Sequence, residues 1–303
     1  MKPPVLLIIF NRFDTAVQVL EKLRLAVVPK LYIFSDGPRK GRVNEQVDLT
    51  LVQQKVLAQI DWPCEVFTNF RETNEGPRLA IGRGVSWMFE TEEEGIILEH
   101  DCVPNSSFFH FCEAMLIRYR NNNQVMHISG DNFQFGEMYG DGSYYFSRIT
   151  HIWGWATWKR AWEHYDVELK SFPEFLVQTK INAVIPYKAG QKYWLHILQQ
   201  CYENKVDSWD YQWNYVLLNL DGLSILPNIN LVSNVGFDAQ ALNTTNPKHK
   251  TARMETEELQ FIIHPSEMKL QHEADRRSIL RVVSPSVIRY FWDKLLDVFG
   301  FKW

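Results

Sequence analysis

Short, wholly apolar runs alternate along this chain with longer segments whose apolar positions recur at helical spacing, a pattern that predicts an α/β fold. Val5-Leu6-Leu7-Ile8-Ile9-Phe10 is apolar at every position, as a strand covered on both faces of a parallel sheet must be. Asn11-Arg12-Phe13 makes a tight exit, and Asp14 is the expected cap of a helix with Ala16, Val19, Leu20 and Leu23 turned inward. Leu31-Tyr32-Ile33-Phe34 is a second buried strand running into Ser35-Asp36-Gly37-Pro38-Arg39. Strand, helix and strand joined by short loops make a right-handed βαβ unit. A helix follows between Asn44 and Ala58, a third strand over Cys64-Glu65-Val66-Phe67, and a turn at Asn74-Glu75-Gly76-Pro77. The next helix, Leu79 to Phe89, carries Arg83 and Trp87. Gly95-Ile96-Ile97-Leu98 is another buried strand, and it ends in Glu99-His100-Asp101. Ser106 is the expected N-cap of the helix from Phe108 to Tyr119.

The second half is less regular. Val125-Met126-His127-Ile128-Ser129 reads as a strand and Gly130 to Gly142 as a loop. The densest aromatic region follows, with Trp153-Gly154-Trp155-Ala156-Thr157-Trp158 at its centre and Trp162 beyond. Gln191 to Asn204 reads as a helix, and Ser208-Trp209-Asp210-Tyr211-Gln212-Trp213 opens another. Leu223 to Pro227 and Asn230 to Val232 are short strands, and Asp238 to Arg253 turns polar as a candidate mobile loop. The tail from Val287 to Trp303 is rich in aromatic and aliphatic residues, with Arg289, Lys294 and Lys302 among them. It suits either an amphipathic helix lying on a membrane surface or one packed on the rest of the protein.

Composition narrows the class. The 303 residues divide into a sheet domain over 1–240 and a loop with a helical C-terminal extension over 241–303. A net charge of −4 offers no basic stripe, which argues against nucleic acid as a partner. Cys64, Cys102, Cys112 and Cys201 show neither a CxxC pair nor zinc spacing and fit reduced thiols in a cytoplasmic protein. The N-terminal apolar run is too short for a signal peptide, and no stretch approaches the roughly 20 apolar residues of a membrane span.

Polar residues stand at three successive strand ends: Arg12, Asp36, and Glu99 with Asp101. Ligands of open α/β sheets bind at that carboxyl edge, and carboxylate oxygens there suit a hard cation, Mg2+ or Mn2+, bridging to diphosphate. A solvated acidic turn is the plainer alternative. No GxGxxG follows the first strand and no GxxxxGK[ST] occurs, which disfavours dinucleotide and P-loop chemistry. What remains is a nucleotide site that holds diphosphate through a metal. Trp153, Trp155 and Trp158 offer flat faces for a sugar ring, Trp155 above all, and Gly154 lets the backbone approach a ligand. On a helix Trp155 and Trp158 would share a face and could equally be core.

In their order along the chain, several segments resemble the metal-dependent N-acetylglucosaminyltransferases that begin complex N-glycan branches. They are Pro4 to Leu23, Tyr32 to Pro38, Gly95 to Phe111, Ile128 to Asn132, Trp153 to Trp162, Trp209 to Trp213 and Leu226 to Phe237. The likeness is closer still to a bacterial group of sugar transferases in that superfamily, and it spans roughly residues 4–240. It implies a GT-A-like, Rossmann-like, mostly parallel sheet flanked by helices. It also implies inverting transfer of a sugar from a nucleotide-diphosphate donor, a UDP-sugar, to a glycan or glycolipid acceptor.

Residue by residue, Arg12 matches a diphosphate contact and Asp36 the aspartate that recognises uracil. Asp101 matches the direct metal ligand, for Mn2+ or Mg2+, and Glu99 a donor-sugar contact. His100 stands where the family has an aspartate facing the ribose, and an imidazole can still donate to a ribose oxygen. Asp210 matches the general base that takes the acceptor hydroxyl's proton, Trp209 beside it lines the acceptor site, and the competing role for Asp210 is helix N-cap. A loop histidine that many such enzymes bring to the metal has no counterpart between Phe237 and Thr244, where Asp238, Asn243 or the later His249 are the possible substitutes. The cysteine pattern suits a cytoplasmic protein, and the aromatic tail, where it lies on a membrane surface rather than packing on the protein, would give peripheral contact with the inner face of the membrane. Two alternatives stay open: a sugar-nucleotide or glycan-binding module without turnover, and a sugar nucleotidyltransferase, although Phe10-Asn11-Arg12-Phe13 lacks the glycine-rich loop of the latter.

Overall fold

The apolar runs pair side by side. In a computed structural model, which describes residues 2–237 and 249–280, β1 (Val5–Ile9), β2 (Lys30–Ser35), β3 (Glu65–Phe70) and β4 (Glu94–Glu99) form a parallel set. The register puts Leu7 between Ile33 and Leu98, so three apolar side chains lie in one row across the sheet. β5 (Cys102–Pro104) leaves the sheet, and β6 (Val125–Ser129), β7 (Tyr144–Ser147), β8 (Trp155–Trp158) and β9 (Leu223–Pro227) complete it in the order β3-β2-β1-β4-β8-β6-β9-β7. Only β8 and β7 run against the others. This is the Rossmann-like, mostly parallel sheet that the alternation of elements predicts.

Helices cover both faces. α1 (Phe13–Leu25), α2 (Glu45–Ala58) and α4 (Ser106–Tyr119) enclose the core around Leu7, Leu98 and Phe111. α3 (Pro77–Met88) and α5 (Lys159–Trp162) close the other face, around Leu6, Ile97 and Trp155. α6 (Phe172–Val177), α7 (Ile181–Val184), α8 (Lys188–Tyr202) and α9 (Asp210–Leu220) build a smaller aromatic layer around Phe172, Phe175 and Trp194.

Several local expectations are corrected. The N-cap of α4 is Asn105, whose Oδ1 accepts from the Phe108 backbone N–H at 3.1 Å, and Ser106 is the first helical residue. Asp14 lies in the first turn of α1, where its charge suits the helix dipole, while Arg12 holds the cap position. Trp155 and Trp158 belong to a strand, and their odd spacing sends them to opposite faces and into different cores.

After β9, β10 (Val232–Asn234) pairs antiparallel with β5, matching Asn234 with Cys102 and Val232 with Pro104. Val235 N–H then donates to Asp101 O at 2.9 Å, which lays residues 234–237 alongside the acidic end of β4. Of the expected helical extension, the described residues before α10 (His272–Ser278) run as a strap. Asn105 Nδ2 donates to Glu257 O at 2.6 Å, Leu259 N–H to Ser107 Oγ at 2.7 Å, and Ile263 N–H to Ser143 Oγ at 2.9 Å. The short helix α10 follows, its Asp275 accepting from Ser147 Oγ and from the Arg148 N–H. Asp238, Asn243, most of the candidate mobile loop and the aromatic tail lie outside the described residues. Among the described residues no helix is long and apolar enough to cross a membrane.

Candidate active site

A cleft of about 1000 Å³ opens at the carboxyl edge of the parallel strands. Arg12 from the exit of β1, Asp36 from the exit of β2, Glu99, His100 and Asp101 from the end of β4, and Trp209 with Asp210 from the start of α9 all line it. Arg12, Asp36 and the Glu99–Asp101 group meet because parallel strands present their carboxyl ends on one edge, as the strand-end polarity of the sequence suggests, while Trp209 and Asp210 are brought there by the start of α9.

The electrostatics of the floor are those of crowded carboxylates. Burial, with the neighbouring Asp101 and Asp210 charges behind it, raises the Glu99 carboxyl well above the usual carboxylate range. Asp210 is also raised by burial, a shift partly offset by hydrogen bonds from the Ser208 hydroxyl and from backbone N–H groups. Asp210 is the first residue of α9 and not its cap, which is Trp209. Burial lowers the His100 pKa, and its Nδ1 is 3.1 Å from Thr15 Oγ1. Arg12, only 9% exposed, reaches Gly236 O with Nη1 at 3.5 Å and lies 3.9 Å from Asp14.

Asp36 is occupied differently from the expectation. Its oxygens accept from the Gly37, Glu75 and Gly76 N–H groups and from Asn74 Nδ2, at 2.8–3.1 Å. A carboxylate offers about four lone-pair sites, and all are taken by the chain itself. Asp36 thus ties the 74–76 turn to the end of β2 while still lining the cleft. Arg83 also stays out of the cleft, pairing with Glu75 at 3.0 Å on the surface.

The aromatic expectations divide. Trp155 is fully buried, with His127 stacked at 5.2 Å on one side and Trp209 at 5.4 Å on another, so it has no open face for a sugar. Gly154 is likewise a packing residue. Its φ of 71° favours glycine, and a Cβ there would come within 2.9 Å of Val232 and 3.1 Å of Leu98. Trp209 reaches the cleft but is 3% exposed. The tryptophan with an open part is Trp153, half-buried in the cleft wall with Phe133 and Phe237 set edge-on at 5.0 and 5.5 Å.

Among the described residues no group of three or more His, Cys, Asp or Glu side chains is placed to hold a metal ion. His249 lines the cleft but stacks on Phe237 and bonds Thr251 Oγ1 at 2.7 Å. Asp101 lines the cleft as a single carboxylate, and a cation such as Mg2+, which is commonly bound by one or two carboxylates with phosphate oxygens and water, would find one protein oxygen donor there.

Gly236 is a residue the sequence did not single out: a Cβ there would lie 1.9 Å from Asp101 Oδ2. Asp131, at the exit of β6, is a second, and the strand-end rule that found Asp36 and Asp101 would have found it too.

No protein-family model and no curated protein sequence matches the chain. Some solved structures show slight likeness. HddC from Yersinia pseudotuberculosis complexed with GMP-PN is 12% identical over 57% of this chain and 86% of its own, with a TM-score of 0.34. 4-Diphosphocytidyl-2C-methyl-D-erythritol synthase from Anaerococcus prevotii is 8% identical over 58% of this chain and 78% of its own, at 0.32. The glycosyltransferase GlyE of Streptococcus pneumoniae is 8% identical over 71% of this chain and 43% of its own, at 0.33. Likenesses this slight carry no argument about activity.

Proposed function

We propose that the cleft binds a nucleotide-diphosphate sugar, a UDP-sugar, and transfers its sugar with inversion to a glycan or glycolipid acceptor. The observation that carries this is the meeting of Arg12, the Glu99–Asp101 pair and the half-buried Asp210 in one cleft. In the proposed reaction the acceptor oxygen attacks the anomeric carbon from the face opposite the diphosphate. The bond from that carbon to the diphosphate oxygen breaks, and the acceptor's proton passes to an Asp210 oxygen. A raised pKa makes Asp210 a stronger base than a solvated aspartate, provided it is ionised when the acceptor binds.

The Arg12 guanidinium suits the diphosphate, whose oxygens it can hold in a fork. With Nδ1 engaged by Thr15, His100 keeps Nε2 for a ribose hydroxyl. Glu99 faces the donor sugar, and Asp36 acts on the base end through the 74–76 turn. A bound Mg2+ or Mn2+ at Asp101 would supply charge stabilisation to the leaving diphosphate.

The test is a thermal-shift series with UDP, GDP, CDP and dTDP, each with and without Mn2+, on the wild type, Asp101→Ala and Asp210→Asn. UDP with Mn2+ is expected to raise the midpoint of the wild type and of Asp210→Asn but not of Asp101→Ala, because only a ligand of the folded state stabilises it. Asp210→Asn should bind yet not transfer. Absence of any nucleotide shift overturns the proposal. A second reading, a sugar-nucleotide-binding module, predicts UDP binding without donor hydrolysis or transfer.

A further inference from the structure

The cleft contains a second group of polar side chains that the proposed transfer does not use. They lie on the β6 side of Glu99–Asp101, across β8 from the strands that carry Arg12 and Asp36. Asp131 is 1% exposed, and neither carboxylate oxygen has a hydrogen bond of good geometry, the closest donors being its own N–H and that of Trp153. Among the described residues, His151 is 5% exposed with no hydrogen bond of good geometry at Nδ1, its ring lying nearest the Asp131 backbone; Trp194 is 5% exposed with Nε1 unpartnered, and Asn214 is 2% exposed with Oδ1 unpartnered. All four residues line the cleft. They come from four places in the chain: the β6 exit, the segment before β8, α8 and α9. Buried polar atoms in folded proteins almost always find partners. Among the described residues these four cleft-lining side chains have no partner for the atoms named, and the hydroxyl groups of a ligand are one source of it.

Their chemistry selects that partner. The indole N–H only donates and the Asn214 Oδ1 only accepts, while a neutral imidazole does one at each nitrogen. Burial lowers His151 to about 4 and raises Asp131 well above the usual range, which keeps the first neutral and lets the second donate as well as accept. Hydroxyl groups satisfy such a mixed set, each being donor and acceptor at once. The half-buried Trp153 and Tyr193 in the same wall offer flat apolar surface to the C–H face of a ring. Asn214 also follows Asp210 by four residues, so both lie on one face of α9, about 6 Å apart along its axis. A single ring can therefore address both.

We propose that Asp131, His151, Trp194 and Asn214 form a hydroxyl-reading subsite for one pyranose ring. That this ring belongs to the acceptor rests on the transferase reading above. The subsite places the attacking hydroxyl at Asp210 by holding its neighbours on the same ring.

The test is saturation-transfer NMR with the methyl β-glycosides of glucose, galactose, mannose and N-acetylglucosamine, alongside UDP calorimetry with Mn2+. The proteins are the wild type, Asp131→Asn, which preserves volume, and Trp194→Phe, which removes only the indole N–H side of the ring system. At least one glycoside is expected to bind the wild type, with affinity reduced fivefold or more in both variants and UDP affinity unchanged within twofold. Where Asp131→Asn does not fold, Trp194→Phe carries the comparison. Glycoside binding equal in the folded variants and the wild type overturns the subsite. So does the absence of glycoside binding to the wild type, which would leave the orphan atoms to buried water. A wild type that binds glycosides in the expected pattern but no UDP keeps the subsite and overturns the transferase reading instead.

Discussion

Gly236→Ala separates the site from the fold in one substitution. The added Cβ would lie 1.9 Å from Asp101 Oδ2, 2.8 Å from its Cγ and 3.0 Å from its Cβ. An ordinary carbon–oxygen contact is about 3.3 Å or more, so something must move by more than about 1 Å. The backbone leading into Gly236 is held: Gly236 N–H donates to Asn234 Oδ1 at 2.8 Å, and Val235 N–H to Asp101 O at 2.9 Å. The carboxylate is the softer element. Turning a side chain about 30° off its rotamer costs about 0.5–1.5 kcal/mol, which predicts a melting point only a few degrees lower. Displacing a ligand-holding group by about 1 Å can reduce activity on the order of 100-fold. Scanning calorimetry paired with titration of UDP in the presence of Mn2+ measures both effects. The expected result is a nearly intact fold with UDP affinity at least tenfold weaker, close to that of Asp101→Ala. Wild-type affinity in Gly236→Ala would refute the reasoning, and a melting point lower by more than about 10 °C would show that the backbone gives way first.

Trp155→Ala should cost about 3–5 kcal/mol, because a fully buried tryptophan is lost from between two stacked rings, whereas Trp153→Ala, at a half-buried position, should cost roughly half as much; urea unfolding of the two compares them directly. Asp36→Ala should release the 74–76 turn, seen as faster hydrogen exchange at the Glu75 and Gly76 amides with little change in the β1–β2 core; unchanged protection there would show that the carboxylate does not hold the turn. Burial pushes Asp275 up to about 6, above its unfolded value near 3.8. The folded state then takes up its proton first as pH falls. The ionised carboxylate is a liability of about 3 kcal/mol above pH 6 that is relieved between pH 6 and about 4. Asp275→Asn should therefore flatten the pH dependence of the melting point in that window relative to the wild type.

How much was legible in the sequence differed by element for physical reasons. β1, β2 and β4 announce themselves because strands covered on both faces exclude polar residues at every position. β8 does not, since four residues rich in tryptophan carry no period long enough to tell strand from helix, and the spacing of Trp155 and Trp158 suits either. The strap over 255–270 was also hidden, because it is fixed by hydrogen bonds to Asn105, Ser107 and Ser143, contacts with no local signature. In the cleft, strand-end polarity located Arg12, Asp36, Glu99 and Asp101, because chain direction in a parallel sheet decides which edge they share. It could not say what fills their lone pairs. Asp36 is saturated by a turn some 40 residues on, and the crowding of Glu99 depends on Asp210, more than 100 residues away. Gly236 is invisible for the same reason, since its constraint is a neighbouring side chain and not its own backbone angle.

Three consecutive residues, Trp153, Gly154 and Trp155, divide tolerance to change very unevenly. Trp155 anchors the core and Gly154 has no room for a side chain, so drift at either is removed by misfolding before specificity is ever tried. Trp153 carries less of the fold and much of the cleft wall. New ligand preferences can therefore be sampled at one position whose rigid frame is supplied by its two immobile neighbours, and selection for a different ligand would be expected to leave its first trace there.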